Sequence, residues 1–175
     1  MASFGERFVG AMKLDEKTFE EVENDPTAMG QAVGVVIISA VAAGIGNMFY
    51  GGLTGLVGGV IGALLGYVIW AALVFVIGTK VMPEPNTKAD FAETFRVLGF
   101  AAAPGIVRVI AFIPILGWLI GFAVGIWMLI AMVVAVRQVL DYTNTAKAVV
   151  VCLIGFIVYW ICAFLLVAPI VALLT

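Results

Sequence analysis

Long apolar runs restrict this chain to a membrane more strictly than any other feature of its sequence. Several runs exceed the ~18 apolar residues that mark a membrane-spanning helix. In the hydrocarbon core only helices and closed barrels satisfy every backbone hydrogen-bonding group, and these runs are too long and too little alternating for barrel strands. The composition, with 64% hydrophobic and 11% charged residues, agrees. The sequence therefore predicts an all-α, polytopic membrane helix bundle.

Proline, glycine and charge divide the chain into a polar head, residues 1–25, and a membrane domain, residues 26–175. Asp25-Pro26 is typical of a helix start, because Asp caps free backbone N–H groups and Pro is tolerated at the first helical position. Turn-forming residues then separate five predicted spans, at about residues 27–48, 53–78, 96–113, 116–140 and 145–174.

The head is acidic and amphipathic. Phe4, Phe8 and Met12 recur at four-residue steps, which predicts a short helix with one apolar stripe that can lie on a membrane surface. A second helical segment follows at about residues 14–22. Two interpretations stay open: the head covers the cytoplasmic face of the bundle, or it recruits a partner protein.

Lysine and arginine residues indicate the orientation, since short cytoplasmic loops carry an excess of both. They occur in the head, after span two and after span four, whereas the turns near residues 50 and 115 have none. This alternation predicts five spans with the N-terminus cytoplasmic and the C-terminus outside. Arg96 would then mark the cytoplasmic edge of span three, and Arg137 would pair with Asp141 at the end of span four.

Glycines recur at four-residue steps in spans two and four, in the manner of glycine zippers. Small-residue stripes let helix backbones approach closely, which is a main means of helix association in lipid. We expect spans two and four to lie in close contact, or one stripe to mediate dimerisation. The predicted helix-packing positions are Gly51, Gly55 and Gly59, then Gly58, Gly62 and Gly66, and in span four Gly117, Gly121 and Gly125.

The sequence lacks the patterns that catalysis, metals or organic cofactors require. It has no histidine, no paired intramembrane carboxylates and no CxxC or G-x-S-x-G motif, so the usual general bases, metal clusters and activated nucleophiles are missing. No Gly-Lys-Ser/Thr follows the glycines, which argues against a phosphate loop. The few scattered basic residues argue against nucleic acid. We expect a non-enzymatic protein with no catalytic, cofactor-binding or metal-binding residues.

Arg108 lies within predicted span three, where an ionisable group costs at least ~2.5 kcal/mol at a helix centre. No acidic residue lies in any predicted span to pair with it. Its side chain either snorkels to the outer headgroups or faces the bundle and binds a lipid headgroup or an anionic ligand. Pro104 kinks the segment and Gly99 thins it, so both are candidate hinge residues, and a re-entrant loop at Pro104 is a third interpretation.

Several apolar motifs together match a known pattern. They are Thr94-Phe-Arg-Val-Leu-Gly-Phe-Ala-Ala-Ala-Pro104, Ile113-Pro-Ile-Leu-Gly-Trp118, Ile126-Trp127, and Arg137 near Thr145-Ala-Lys-Ala148. With Leu14-Asp-Glu-Lys-Thr-Phe19 and the glycine-rich second span, this pattern resembles the Yip1 domain family over nearly the whole chain. Gly99, Phe100 and Pro104 would correspond to the family's Gly-Tyr and downstream Pro, with Phe replacing Tyr. The resemblance implies a five-span bundle with a cytoplasmic N-terminus.

The same resemblance bears on partners and location. Similar eukaryotic proteins sit in Golgi and endoplasmic reticulum membranes, bind Rab GTPases and assist vesicle traffic. Here the head has only about 25 residues and lacks the Asp-Leu-Tyr-Gly-Pro stretch of those proteins, so the resemblance does not carry Rab GTPase binding over to this chain. The short form is similar to the bacterial members, which implies a bacterial cell membrane.

These features predict an integral membrane scaffold, a membrane-organising protein or an accessory subunit of a complex. Its expected partners are membrane lipids and, within the membrane, a protein or a second copy of the chain. The alternative is a small transporter or a lipid-binding protein that uses Arg108 and the kink at Pro104.

Overall fold

The protein is built from helices joined by short loops. The computed structural model describes residues 2–113 and 116–174, and the side chains there except those at positions 49, 50, 112, 163 and 165–174. This part of the chain forms six α-helices, two 3-10 helices and one π-helical turn, and it contains no strand. The predicted all-α membrane bundle is confirmed.

The head forms two short helices, α1 (Phe4–Met12) and α2 (Glu16–Asn24). Ser3 begins α1 with a capping box: its hydroxyl accepts a hydrogen bond from the Glu6 backbone N–H, and the Glu6 carboxylate accepts one from the Ser3 backbone N–H. A 3-10 turn, Pro26–Ala28, then leads into the membrane domain. The sequence predicted both head helices.

The first two spans form a helical hairpin, α3 (Met29–Val76), with a break at Gly52. Gly52 has φ 55° and ψ −140°, a conformation that a residue with a Cβ rarely adopts. Gly44 and Gly59, almost equally far from the break on either side, are in backbone contact. The two halves of α3 therefore run antiparallel.

The third apolar segment is bent. It consists of α4 (Phe91–Ala101) and a 3-10 helix, Ala103–Phe112, inclined by 41°. Pro104 near the start of the 3-10 helix has no backbone N–H to donate, which accounts for the change of helix type there. The Ser39 hydroxyl of the first span donates to the Ala102 carbonyl oxygen at the bend, over 2.5 Å.

Arg96, predicted to mark the cytoplasmic edge of span three, is buried beneath the head, and its position at that edge stays a prediction. Only 4% of its surface is exposed. Its Nε donates to the Val22 carbonyl oxygen over 2.7 Å, and its Nη2 donates to the Glu23 carbonyl oxygen. Because α2 supplies both carbonyls, α2 covers the beginning of α4. The third segment therefore begins at Phe91, earlier than the predicted residue 96.

The last two helices are α5 (Leu116–Val139) and α6 (Thr145–Leu174). The Arg137 guanidinium near the end of α5 pairs with the Glu16 carboxylate of α2 at 3.1 Å. The predicted pair of Arg137 with Asp141 is therefore wrong, because the docked head brings a carboxylate closer than the one in the same loop. The turn predicted at Pro114 and Ile115 lies outside the described residues.

Four of the described helices are long and apolar enough to cross a membrane, and the bent pair makes a fifth if it counts as one span. The second span, which includes a π-helical turn at Ile77–Val81, is longer than the predicted range 53–78. The candidate spans are Pro26–Met48, Gly51–Val81, the pair Phe91–Ala101 with Ala103–Ala111, Leu116–Val139 and Thr145–Cys162.

Tight packing is concentrated in the half of the bundle next to the head. It combines side chains from α2, the end of span two, the second half of α4 and the end of α5. The fully buried ones include Phe19, Val74, Leu98, Phe100, Val136 and Leu140. The opposite half, around the end of span one and the start of α5, is more open and holds cavities.

Candidate functional site

Arg108 lies on the 3-10 helix, at the end of the bundle far from the head. Its backbone oxygen is so close to Gly46 that a Cβ at Gly46 would lie 2.5 Å from it. Gly46 belongs to the last turn of the first span, Pro26–Met48, whose other end adjoins the head. The Arg108 backbone is therefore level with the end of a span and not with its middle.

The Arg108 side chain is half-buried and lines two cavities between helices. The first, of about 350 Å³, lies between the 3-10 helix, the end of span one and the start of α5. The Asn47 amide supplies further polar lining, and Trp118, 69% exposed, stands at its side. The side chain thus lines spaces between helices at one end of the bundle, and whether it snorkels to headgroups or binds a ligand there stays a prediction.

The second cavity, of about 320 Å³, extends from Arg108 toward the packed core. Its lining is mostly apolar and draws on all five apolar segments. Among the lining residues are Ser39, Gly62, Gly66, Gly125, Met128 and Tyr159. At Gly62 and Gly125 a Cβ would meet no described atom within 4 Å, so absent side chains help to keep the space open there.

Among the described residues, Arg108 is the only formally charged one that lines either cavity. None of the ion pairs formed by the described residues includes it. A guanidinium offers five N–H donors and no acceptor. The geometry therefore presents a cation, with amide and hydroxyl groups near it, to whatever occupies the two cavities.

Three of the predicted helix-packing glycines are packed inside the chain. A Cβ at Gly55 would lie 2.6 Å from the Asn47 carbonyl oxygen, and one at Gly59 would lie 2.9 Å from the Gly44 Cα. A Cβ at Gly66 would lie 2.7 Å from the Tyr159 hydroxyl of α6. Span two therefore packs through these glycines on span one and α6.

Most of the other glycines of the two stripes have few or no described neighbours, whereas Gly117 is buried. Gly51 approaches only the Thr54 hydroxyl, at 4.0 Å, and Gly117 lines the first cavity. A Cβ would meet no atom within 4 Å at Gly58, Gly62, Gly121 and Gly125. Among the described residues, these glycines of spans two and four therefore do not contact one another directly, and dimerisation through one stripe stays a prediction.

The candidate hinge positions are closely packed. A Cβ at Gly99 would lie 3.0 Å from the Ala32 Cβ and 3.1 Å from the Tyr67 hydroxyl. At Gly105, the residue after Pro104, it would lie 3.0 Å from the Ser39 Oγ. The hinge role of Gly99 and Pro104 stays a prediction, and the surrounding contacts support the bend as a static feature.

Arg7 holds the head together, a role that the sequence analysis missed. It is 2% exposed, and its Nη2 lies 2.7 Å from Glu21 Oε1 and 2.6 Å from Asp25 Oδ2. Its Nη1 donates to Gln31 Oε1 at the start of span one, over 3.1 Å. Hydrogen bonding to Arg7 lowers the pKa of Glu21; Thr27 and then Arg7 lower the pKa of Asp25 to about 2. The excess of acids in the head was the available signal for such a buried cation.

Further contacts fix the head to α5. The Trp127 Nε1 of α5 donates to the Met12 carbonyl oxygen over 2.9 Å, so this tryptophan forms a hydrogen bond to the head in addition to packing. The Gln138 Nε2 donates to Glu23 Oε2 over 3.4 Å. Burial and then the nearby Asp141 raise the pKa of Glu23 to about 7. The head and the bundle therefore form one unit with a titratable group in the contact.

The described residues contain no group of three or more His, Cys, Asp or Glu side chains that could hold a metal ion. What the geometry offers is a half-buried cation beside open space at one end and a docked acidic head at the other. The first arrangement can bind an anion, and the second can present a surface to a protein.

Comparison with protein families gives a match to the model described as Yip1 domain, over residues 12–167. The matched residues include α2 and all five apolar segments, which is most of the chain. Comparison with curated proteins gives no match, and comparison with solved structures gives none either.

Proposed function

This chain belongs to the Yip1 domain family, and on that premise we propose that it is a non-enzymatic scaffold or accessory subunit that organises a membrane complex. The complex would form through helix contacts within the membrane, with a second copy of the chain or with another membrane protein. Its N-terminus would lie in the cytoplasm and its C-terminus outside, in the cell membrane of a bacterium.

The observation that carries the proposal is the bare glycine face of span two. Glycine inside a helix is less favourable than alanine by about 1 kcal/mol. At Gly59 and Gly66 close packing inside the chain accounts for this cost, but at Gly58 and Gly62 a Cβ would meet no described atom within 4 Å beyond the helix's own turn. Close approach of a helix from another molecule would account for both.

The docked head supports the same proposal. Binding is favoured when a surface is already ordered, because less conformational entropy is lost on association. Arg7, Arg96 and Trp127 hold α1 and α2 in place through buried or half-buried contacts. The exposed acidic residues of α2, such as Glu16 and Glu20, are therefore held in fixed positions on the surface of the protein.

A small transporter has less support. Transport through the segment would require the bend at Pro104 to move. The Ser39 hydroxyl and the close approaches at Gly99 and Gly105 brace that bend.

The test is the assembly state of the variant Gly58→Leu, alone and with Gly62→Leu. We expect each variant to lower the fraction of assembled protein in native mass measurements from mild detergent, by about tenfold for a helix contact worth about 1.4 kcal/mol. Val68→Leu, at an exposed position of the same span, is the matched control and should assemble as the parent does. A parent protein that stays monomeric in detergent and in lipid discs would refute the proposal.

A further inference from the structure

We infer that Arg108 and the two cavities that it lines form a binding site for an anionic phospholipid, with the phosphate at Arg108 and an acyl chain in the second cavity. The site shares Gly62 with the proposed assembly face, whereas Gly58 lines neither cavity, so Gly58→Leu alone tests assembly without altering the site.

The charge of the site calls for an anion. Arg108 is the only formally charged lining residue, and no lining residue of either cavity is a carboxylate. An arginine in a membrane segment is costly unless it is paired or hydrated. A phosphate matches the planar fork of a guanidinium, which can donate two parallel hydrogen bonds to it.

The depth of the site corresponds to a headgroup. The Arg108 backbone adjoins Gly46, two residues before the end of the first span at Met48. Asn47, beside the first cavity, adds amide N–H donors at the same level. Trp118 stands at that cavity, 69% exposed, and tryptophan is enriched where headgroups meet hydrocarbon.

The second cavity has the character of an acyl-chain site. Besides Arg108, its lining includes Met128, Leu129 and Phe156, and the exposed Trp160 borders it. Gly125 contributes no side chain, and a Cβ there would meet no atom within 4 Å. Each cavity lies within the ~300–1,000 Å³ range of small-molecule sites, which are mostly apolar with a few polar groups.

Arg108 lines both cavities, which distinguishes a lipid from a free anion. A small anion would be held between Arg108 and Asn47 at the first cavity and would leave the apolar second one without an occupant. A phospholipid carries the anion and the apolar chain in one molecule. We therefore expect the phosphate and the acyl chain of one phospholipid molecule to bind together.

The experiment measures binding to the delipidated full-length protein in detergent, by native mass measurement and titration. The probes are phosphatidylglycerol, phosphatidylcholine with the same acyl chains, and glycerol phosphate. We expect phosphatidylglycerol to bind at least about tenfold more tightly than either other probe. Arg108→Gln should remove this preference, whereas Arg108→Lys should keep part of it.

Gly125→Leu tests the acyl-chain cavity without changing a charge, and remains informative if Arg108→Gln fails to fold. It should weaken phosphatidylglycerol by about tenfold or more. Arg137→Gln, a change in an exposed ion pair at the head end, is the matched control and should leave lipid binding unchanged. Equal binding of the two lipids, displacement of phosphatidylglycerol by equimolar glycerol phosphate, or unchanged binding in both Arg108→Gln and Gly125→Leu would overturn the inference.

Discussion

The guanidinium groups of three buried or half-buried arginines have three different kinds of surroundings. Arg7 is paired with carboxylates, and Arg96 donates to the backbone carbonyls of α2. Arg108 faces cavities that contain no carboxylate. The first two arginines therefore hold the head to the bundle, and the third belongs to the proposed phospholipid site.

Glu23 makes the docking of the head dependent on pH. Its pKa is raised from the ordinary 4.5 to about 7, so between these values the folded head binds more protons than the unfolded head. Stability therefore falls as the pH rises through this window. Glu23 lies near three carboxylates of like charge, those of Asp141, Glu93 and Glu20. The Gln138 amide donates a hydrogen bond to its carboxylate.

We expect hydrogen exchange of α2, corrected for its intrinsic rate, to be faster at pH 8 than at pH 5.5 by a factor of about ten. Glu23→Gln should remove the difference, because an amide does not titrate. Glu20→Gln, at an exposed position of the same helix, should keep it. Equal protection of the parent protein at both pH values would contradict this role of Glu23.

At the scale of the helices, the first span and the 3-10 helix Ala103–Phe112 are in close contact at the end of the bundle far from the head. A Cβ at Gly46 would lie 2.5 Å from the Arg108 backbone oxygen. That atom is part of the main chain and cannot rotate away as a side chain can. Gly46 therefore sets the separation of these two elements.

Gly46→Ala should lower the free energy of unfolding by about 1–3 kcal/mol, the usual cost of overpacking. Thermal or chemical unfolding in detergent measures this loss. Gly30→Ala is the control in the same helix, because a Cβ there meets no atom within 4 Å. It should leave stability unchanged or raise it by up to about 1 kcal/mol. A loss of the same size in both variants would show that the contact at Gly46 is not the cause.

At the scale of the whole molecule, the described ion pairs gather the head and two loops at one end. Arg137 joins the end of α5 to Glu16 of the head. Lys147, at the start of α6, joins Glu84 of the loop after span two, at 3.4 Å. All three regions therefore lie on the same side of the bundle, and that this side is cytoplasmic stays a prediction.

Cysteine labelling tests that orientation in a background with Cys152→Ala and Cys162→Ala. A membrane-impermeant maleimide should label Trp118→Cys in intact cells, because Trp118 is exposed at the end far from the head. It should label Lys88→Cys only after the membrane is opened. The reverse labelling pattern would show that the predicted orientation is wrong. Labelling of both cysteines from the same side would show that the third segment does not cross the membrane.

The class of the protein could be predicted from the sequence because hydropathy is a local property. A window of about 18 apolar residues needs no partner to be stable as a helix in lipid. The same applies to the turn at Gly51-Gly52, the acidic amphipathic head and the unusual position of Arg108. Each depends only on neighbours in the chain.

Tertiary structure decided which faces meet. It placed Arg137 against Glu16, buried Arg7 and Arg96, and left the stripes of spans two and four apart. Such contacts depend on side-chain shape across residues far apart in the chain, and a four-residue step identifies a smooth face without identifying its neighbour. Only the fold shows that one group of glycines closes a helix contact while another leaves the cavity beside Arg108 open.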